Sequence, residues 1–321
     1  MFAVSNMVYS VKIYSRIGEL MQGFLPDASG FLVSGLPSRI FFSEAVLTPG
    51  AGDAGEARLL PGAGDAGERL LPGARDAGEG LLPGARDPGE AGLLPAKSRL
   101  ALAKFRALYE TDGIGLFSVR LQSNIPPGKG LSSSSTDILS VLFVVNDYLQ
   151  AGCTSEDLYR IAAAIEPTDP CLSDDIVVFR QHEGIVDRCI TLPPMTVLYF
   201  DAEPGRQIET LDVQRSWTPG TGKFYDWLLR RFLTAAKDGD YTALFDSITY
   251  SAEYNQTVIP LTRWDEYLQL ARATQSGLMV AHSGTIVGFL TRPQQAAELQ
   301  ARLETATGQP IYSEQYISSS F

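Results

Sequence analysis

The stretch from residue 125 to residue 138, Ile-Pro-Pro-Gly-Lys-Gly-Leu-Ser-Ser-Ser-Ser-Thr-Asp-Ile, constrains this chain more than any other. Residues 116–121 before it alternate apolar and polar positions and read as a strand. Residues 138–149 after it are apolar enough for a largely buried helix, with Gly152 placed to end it. A Gly/Ser-rich turn between strand and helix presents unpaired backbone N–H groups at the positive end of a helix dipole, which suits a phosphate. Gly128 and Gly130 let the backbone approach an anion, Lys129 adds charge, and the serine hydroxyls suit phosphate oxygens or Mg²⁺. A Pro-Gly turn followed by a serine cap is also common punctuation, so residue types alone leave both readings open. The stretch is not a Walker A loop, because Ser123 stands where the first Gly belongs and Gly130 follows the Lys. A second Gly-Lys pair, Gly222-Lys223, fails in the same way, with Trp217 and Phe224 at those two positions.

Upstream, residues 8–14, 31–35 and 38–46 read as strands, with residues 15–23 (Ser-Arg-Ile-Gly-Glu-Leu-Met-Gln-Gly) as a turn between the first two. Residues 49–96 differ in kind: a unit of 11 or 12 residues with the core Asp-(Ala/Pro)-Gly-Glu-x-Leu-Leu-Pro recurs along them. Gly and Pro in every unit prevent a continuous helix, and two leucines per unit cannot build a core. A disordered insertion with no part in chemistry is expected here, a short-period solenoid being the alternative.

Residues 98–110 carry a strong helix pattern, and Thr154 to Asp157 open a further helix with a capping-box-like start. That helix leads into Glu166-Pro-Thr-Asp-Pro170, and residues 175–180 and 185–190 then read as a hairpin. From residue 195 onward the expected order is a strand, three helices (222–236, 241–255, 262–274), a strand pair within 278–290, a helix (293–305) and a last strand (311–318). This is an α+β layer arrangement, divided at residue 194/195 into two domains, 1–194 and 195–321.

The order Pro-x-Gly-x-Gly-Leu-x-Ser-Ser resembles the central phosphate loop of the GHMP kinases, and Gly-Lys-Gly-x-x-Ser-Ser-x-x-Asp-Ile looks most like their L-threonine kinase branch, which makes O-phosphothreonine for the cobalamin side chain. Gly18-Glu-Leu-x-Gln-Gly23 resembles the first family motif, and Ala281-His-Ser-Gly-Thr285 the third. The resemblance implies a GHMP kinase fold, with an N-terminal ribosomal-protein-S5-like domain that binds ATP and a C-terminal ferredoxin-like domain. It also implies ATP and Mg²⁺ as cofactors and a small alcohol as acceptor, L-threonine first. Homoserine, serine, a specialised-metabolite hydroxy acid, or an ATP-dependent decarboxylation on the same fold are the alternatives.

The resemblance assigns Pro127, Gly128, Lys129, Gly130, Leu131, Ser132, Ser133, Ser134 and Ser135 to the nucleotide, Ser134 and Glu166 to Mg²⁺, and Asp169 to proton transfer. Glu19, Gln22, His282, Ser283 and Gly284 fall to the substrate. Taken as residues only, Glu19 and Gln22 also fit a plain turn, Asp169 a Pro-Thr-Asp-Pro turn, and His282 a structural strand-end histidine. Leu131, Ser132, Ser135 and Thr136 depart from the small residues usual in the family loop, which leaves the acceptor open.

A net charge of −11 argues against nucleic acid or an anionic membrane as partner. No run of 18 apolar residues and no export signal is visible, and Cys153, Cys171 and Cys189 have no metal-ligand spacing, so a cytoplasmic protein is expected. A homodimer is compatible with the sequence, which does not determine the assembly.

Overall fold

Where a short meander was expected, two long strands form: β1 (Tyr9–Phe24) and β2 (Gly30–Pro49), paired antiparallel over almost their whole length. The computed structural model describes residues 8–50, 69–70, 94–109, 117–209, 211, 213 and 215–317. Register shifts after Tyr14 and after Glu19 bend β1, and Gly18 between them adopts φ of +52°. Its N–H leaves the ladder and donates to Gly130 O at 3.1 Å. The turn expected over residues 15–23 is therefore strand. Its polar side chains broke the alternation because both faces of this segment are covered, which buries Ser15, Arg16, Glu19 and Gln22.

Arg16 is fully buried and shows how such a residue is tolerated. Its guanidinium donates to Gly35 O at 3.1 Å, Pro170 O at 3.0 Å and Asp175 O at 2.8 Å, and also to Ser173 O. It thereby satisfies the carbonyls of the loop that follows Asp169.

The repeat segment lies outside the described residues apart from β3 (Arg69–Leu70), which pairs in parallel with Val11 and Lys12. β4 (Phe117–Ser123) pairs with β2, as do β5 (Ile176–Arg180) and, through it, β6 (Ile185–Ile190). Three helices cover this part: α1 (Ala96–Leu108), α2 (Ser133–Leu149) and α3 (Ser155–Ala163). Val141, Leu142, Val144 and Val145 of α2 pack with Ala101 and Phe105 of α1, Leu158 and Ile161 of α3, and Leu32 and Leu47 of β2. Helix α3 starts with the expected capping box, Thr154 Oγ1 accepting from Asp157 N at 3.2 Å. Helix α2 ends at Leu149 as expected, but Gln150, two residues before Gly152, takes the left-handed cap position.

The second half runs β7 (Met195–Asp201), α4 (Pro219–Asp238), α5 (Tyr241–Asn255), α6 (Trp264–Thr274), β8 (Gly277–Val280), β9 (Ile286–Thr291), α7 (Ala296–Thr307) and β10 (Tyr312–Tyr316). Its strands order as β10-β7-β9-β8, all antiparallel, in a β-α-β-β-α-β sequence with three helices in the first crossover. The two halves join in one sheet where Glu19 of β1 pairs with Val280 of β8. Buried Glu314 of β10 adds a second tie, accepting from Ser38 Oγ at 2.9 Å and Tyr199 OH at 2.6 Å.

Candidate active site

The joint between the halves opens into a cavity of about 590 Å³, a volume suited to a small-molecule ligand. The loop before α2 forms one wall. Gly128 (φ +68°), Gly130 (φ +84°) and Ser132 (φ +53°) alternate in left-handed conformation, which curls the chain tightly. A Cβ on Gly130 would sit 2.0 Å from Ala281 Cβ, so glycine is required there by space as well as by φ. The loop carbonyls are taken by flanking segments: Gly128 O by Ile208 N–H, Lys129 O by the N–H groups of Thr285 and Ile286, and Gly130 O by Gly18 N–H. Pro127, Gly128, Gly130, Ser132, Ser133, Ser134 and Ser135 line the cavity. The first-turn N–H groups of α2 have no intrahelical partner and lie at the positive end of its dipole. Pro95, Ala96, Lys97 and Ser98 bring the N-terminal end of α1 to the same space.

Two loop assignments need correction. Lys129 does not face the cavity. Its ammonium is buried against Asp201 Oδ2 at 2.7 Å and donates to the carbonyls of Pro204 at 2.9 Å and Arg206 at 2.6 Å. The side chain is thus a structural peg into the β7 loop, because an ammonium with that many fixed acceptors has none of its three protons left for a phosphate. Leu131 likewise turns into the core beside Ile125 and Ile286, leaving only its backbone near the loop. Gly284 does not line the cavity either; a Cβ there would lie 2.1 Å from Lys129 C and O, so it packs against the loop.

Three acidic side chains, Glu19, Glu166 and Asp169, line the same cavity. Asp169 N–H donates to Ser135 Oγ at 3.0 Å, which fixes the carboxyl beside the start of α2. Burial pushes its pKa up to about 7, with the charges of Glu19 and Glu166 adding to the rise and the Ser132 hydroxyl and Arg16 opposing it. Glu19 Oε2 accepts from His282 N at 2.8 Å and lies 3.2 Å from His282 Nδ1. Burial raises Glu19 to about 7 as well, against the His282 N–H and the Arg215 charge. Burial keeps the His282 imidazole well below its usual pKa, so the ring is neutral, with Nε2 near Ser251 Oγ at 3.5 Å. His282 is therefore a support for Glu19. Ser283 and Gln22 line the cavity, Gln22 donating to Gln181 Oε1 at 2.9 Å.

Glu166 takes Lys97 Nζ at 2.6 Å on Oε2, while its buried Oε1 has no hydrogen-bond partner among the described residues. No group of three or more His, Cys, Asp or Glu side chains able to hold a metal occurs among the described residues. Glu166 and Ser134 both line the cavity, and their oxygens suit a magnesium ion that arrives with phosphates, which supply most of its ligands. Lys97 and Arg215 were not legible as site residues. Lys97 directly follows the repeats, and Arg215 sits in an irregular loop with no motif around it.

Burial holds both Glu19 and Asp169 up at about 7, with the Glu19 charge adding to the rise at Asp169, so these carboxyls give up their protons near neutrality. If an ionised carboxylate works here, kcat/KM should rise with pH through about 7 and then level off. The folded state keeps protons that the unfolded chain releases near pH 4, so this pair stabilises most below that and loses its contribution as pH rises through about 7. The Tm of the ligand-free protein should show that decline, and Glu19→Gln should flatten it. A Tm slope unchanged in Glu19→Gln would contradict the assignment.

Residues 98–179 match the model of the GHMP kinases N terminal domain. Residues 98–179 thus carry the features of a GHMP kinase N-terminal domain. It is 26% identical over 179 residues to the L-threonine kinase of Salmonella typhimurium, an alignment covering 54% of this chain and 59% of that enzyme. It is 23% identical over 188 residues to the L-threonine kinase of Citrobacter freundii, covering 54% and 61%. The chain thus spans about 60% of the length of these curated relatives. Its fold matches the crystal structure of homoserine kinase from Cytophaga hutchinsonii with a TM-score of 0.61, 14% identity and coverage of 99% and 97% of the two chains. Within this fold the glycine- and serine-rich loop and residues of the other two motifs anticipated from sequence, Glu19, Gln22, His282 and Ser283, meet at one cavity.

Proposed function

We propose that this chain is an ATP-dependent kinase of a small alcohol, with L-threonine, giving O-phospho-L-threonine, as the best candidate. In this reading residues 1–194 are the ribosomal-protein-S5-like ATP-binding domain and residues 195–321 the ferredoxin-like domain. The observation that carries it is the meeting, in one cavity, of the α2 N-terminus with its glycine loop and of the Asp169 carboxyl held against Ser135. An anion cradle and a carboxyl titrating near neutrality are the two things phosphoryl transfer to an alcohol asks of a protein. Likeness to the threonine kinases supports the acceptor.

The N–H groups of the loop and of α2 hold the nucleotide phosphates. Asp169 accepts the hydroxyl proton as the alcohol oxygen bonds to the γ-phosphorus and the bond to the β,γ-bridging oxygen breaks, releasing ADP. Ser134 and Glu166 would hold Mg²⁺, whose role is to neutralise charge on the phosphates. Arg16 keeps the loop carrying Asp169 in place through its carbonyl contacts.

No helix among the described residues is long and apolar enough to cross a membrane, which accords with a protein acting on a dissolved metabolite. Initial rates of ADP formation over L-threonine, L-serine, L-homoserine and mevalonate test the reading. L-threonine is expected to give the highest kcat/KM. Preference for a non-amino-acid alcohol would remove the threonine assignment, and failure to bind MgATP in calorimetry would remove the kinase.

A further inference from the structure

We infer that the acceptor is held as an amino-acid zwitterion, its carboxylate by Arg215 and its ammonium by Glu19, the two set on either side of His282. This rests on the kinase reading above and adds what that reading lacks, the groups that choose the acceptor.

Arg215 lies half-buried in the cavity wall. Its Nη2 donates to Asn255 Oδ1 at 2.5 Å and to His282 O at 2.8 Å, so the guanidinium is anchored on one side. Among the described residues it forms no ion pair, and its Nε and Nη1 donate to none of them. Burial pulls its pKa below the usual arginine value, the sign of a cation short of compensation. A guanidinium anchored through one nitrogen at a cavity wall, with no partner for its other nitrogens among the described residues, is suited to bidentate capture of a carboxylate.

Glu19 stands on the other side of the same residue. Its Oε2 accepts the His282 N–H while the His282 carbonyl accepts from Arg215, so one backbone unit carries an anion and a cation side by side without pairing them. Leaving two partly desolvated opposite charges unpaired costs free energy that a direct ion pair would recover. A ligand with ammonium and carboxylate on adjacent atoms satisfies both at once. Asp169 lines the same cavity as Glu19 and Arg215, so a ligand held by those two shares that space with the proposed proton acceptor. A polyol offers neither charge, and a hydroxy acid leaves Glu19 without a cation.

The test compares kcat/KM for L-threonine, 1-amino-2-propanol (threonine without its carboxylate) and 3-hydroxybutyrate (threonine without its ammonium) in wild type, Arg215→Met and Arg215→Lys. Wild type should favour threonine over each truncated alcohol by about 100-fold or more. Arg215→Met should lower the threonine value by about 100-fold and the 1-amino-2-propanol value by less than about threefold, with MgATP affinity unchanged by calorimetry. Arg215→Lys keeps the charge without the fork and should show a smaller loss of the same selectivity; it decides the matter if the Met variant does not fold. Equal losses on threonine and 1-amino-2-propanol, or no loss on threonine, would overturn the carboxylate assignment while leaving the kinase standing. Wild-type rates on 3-hydroxybutyrate equal to those on threonine would overturn the role of Glu19. Absence of ADP formation with every alcohol, together with no MgATP binding, would instead sink the kinase reading itself.

Discussion

Asp169→Asn is expected to lower kcat by about 10²- to 10⁴-fold, the usual worth of a positioned general base, with MgATP affinity nearly intact. The amide keeps the size of the carboxyl and the backbone N–H bond to Ser135 Oγ, so the loop need not move. It removes a carboxyl beside the start of α2 whose pKa is pushed up to about 7. Glu19 titrates in the same range but is tied to His282. The residual activity of the variant should lose the rise through about pH 7, since that limb follows the Glu19–Asp169 pair. Turnover like wild type, or a weakened MgATP affinity with unchanged kcat, would show that Asp169 shapes the nucleotide site and does no proton transfer.

Lys129→Met should destabilise the protein by about 3–5 kcal/mol while changing MgATP affinity little, measured by denaturant unfolding and calorimetry. The sequence places this lysine in the middle of a phosphate loop, where loss of nucleotide affinity would be the natural expectation. Its side chain and that of Asp201 are each only 3% exposed and meet at 2.7 Å. Methionine fills the space of the stem but strands the Asp201 carboxylate, which also accepts from Thr285 Oγ1 at 2.6 Å. Removing both charges in Lys129→Met/Asp201→Leu should recover part of the loss, because a buried pair replaced by apolar groups costs far less than a pair half removed. A stability change under about 1 kcal/mol with a clear loss of nucleotide affinity would restore the phosphate role.

These two residues show where sequence pattern reaches and where it stops. Strand, glycine loop and helix in immediate succession are local facts: Gly128 and Gly130 need left-handed backbone, and the apolar run after them needs burial, whatever surrounds them. The capping box at Thr154 and the hairpin at residues 175–190 were legible for the same reason. The residue types at 15–23 misled because polar side chains in a strand normally face water. Here they lie at the joint of the two halves, where neighbouring segments, among them the loop after Asp169, take the place of solvent.

Side-chain direction was the other thing pattern did not carry. Lys129 turned to Asp201, 72 residues on, and Arg215 reached the cavity from an irregular loop. Both depend on how β7 and its loop lie against β1. By itself the sequence determined the order of most elements and the glycine loop between strand and helix, because turns, caps and apolar periods act within a few residues. The tertiary structure alone decided which charges are paired and which are left for a ligand, because pairing depends on distances between segments far apart in the chain.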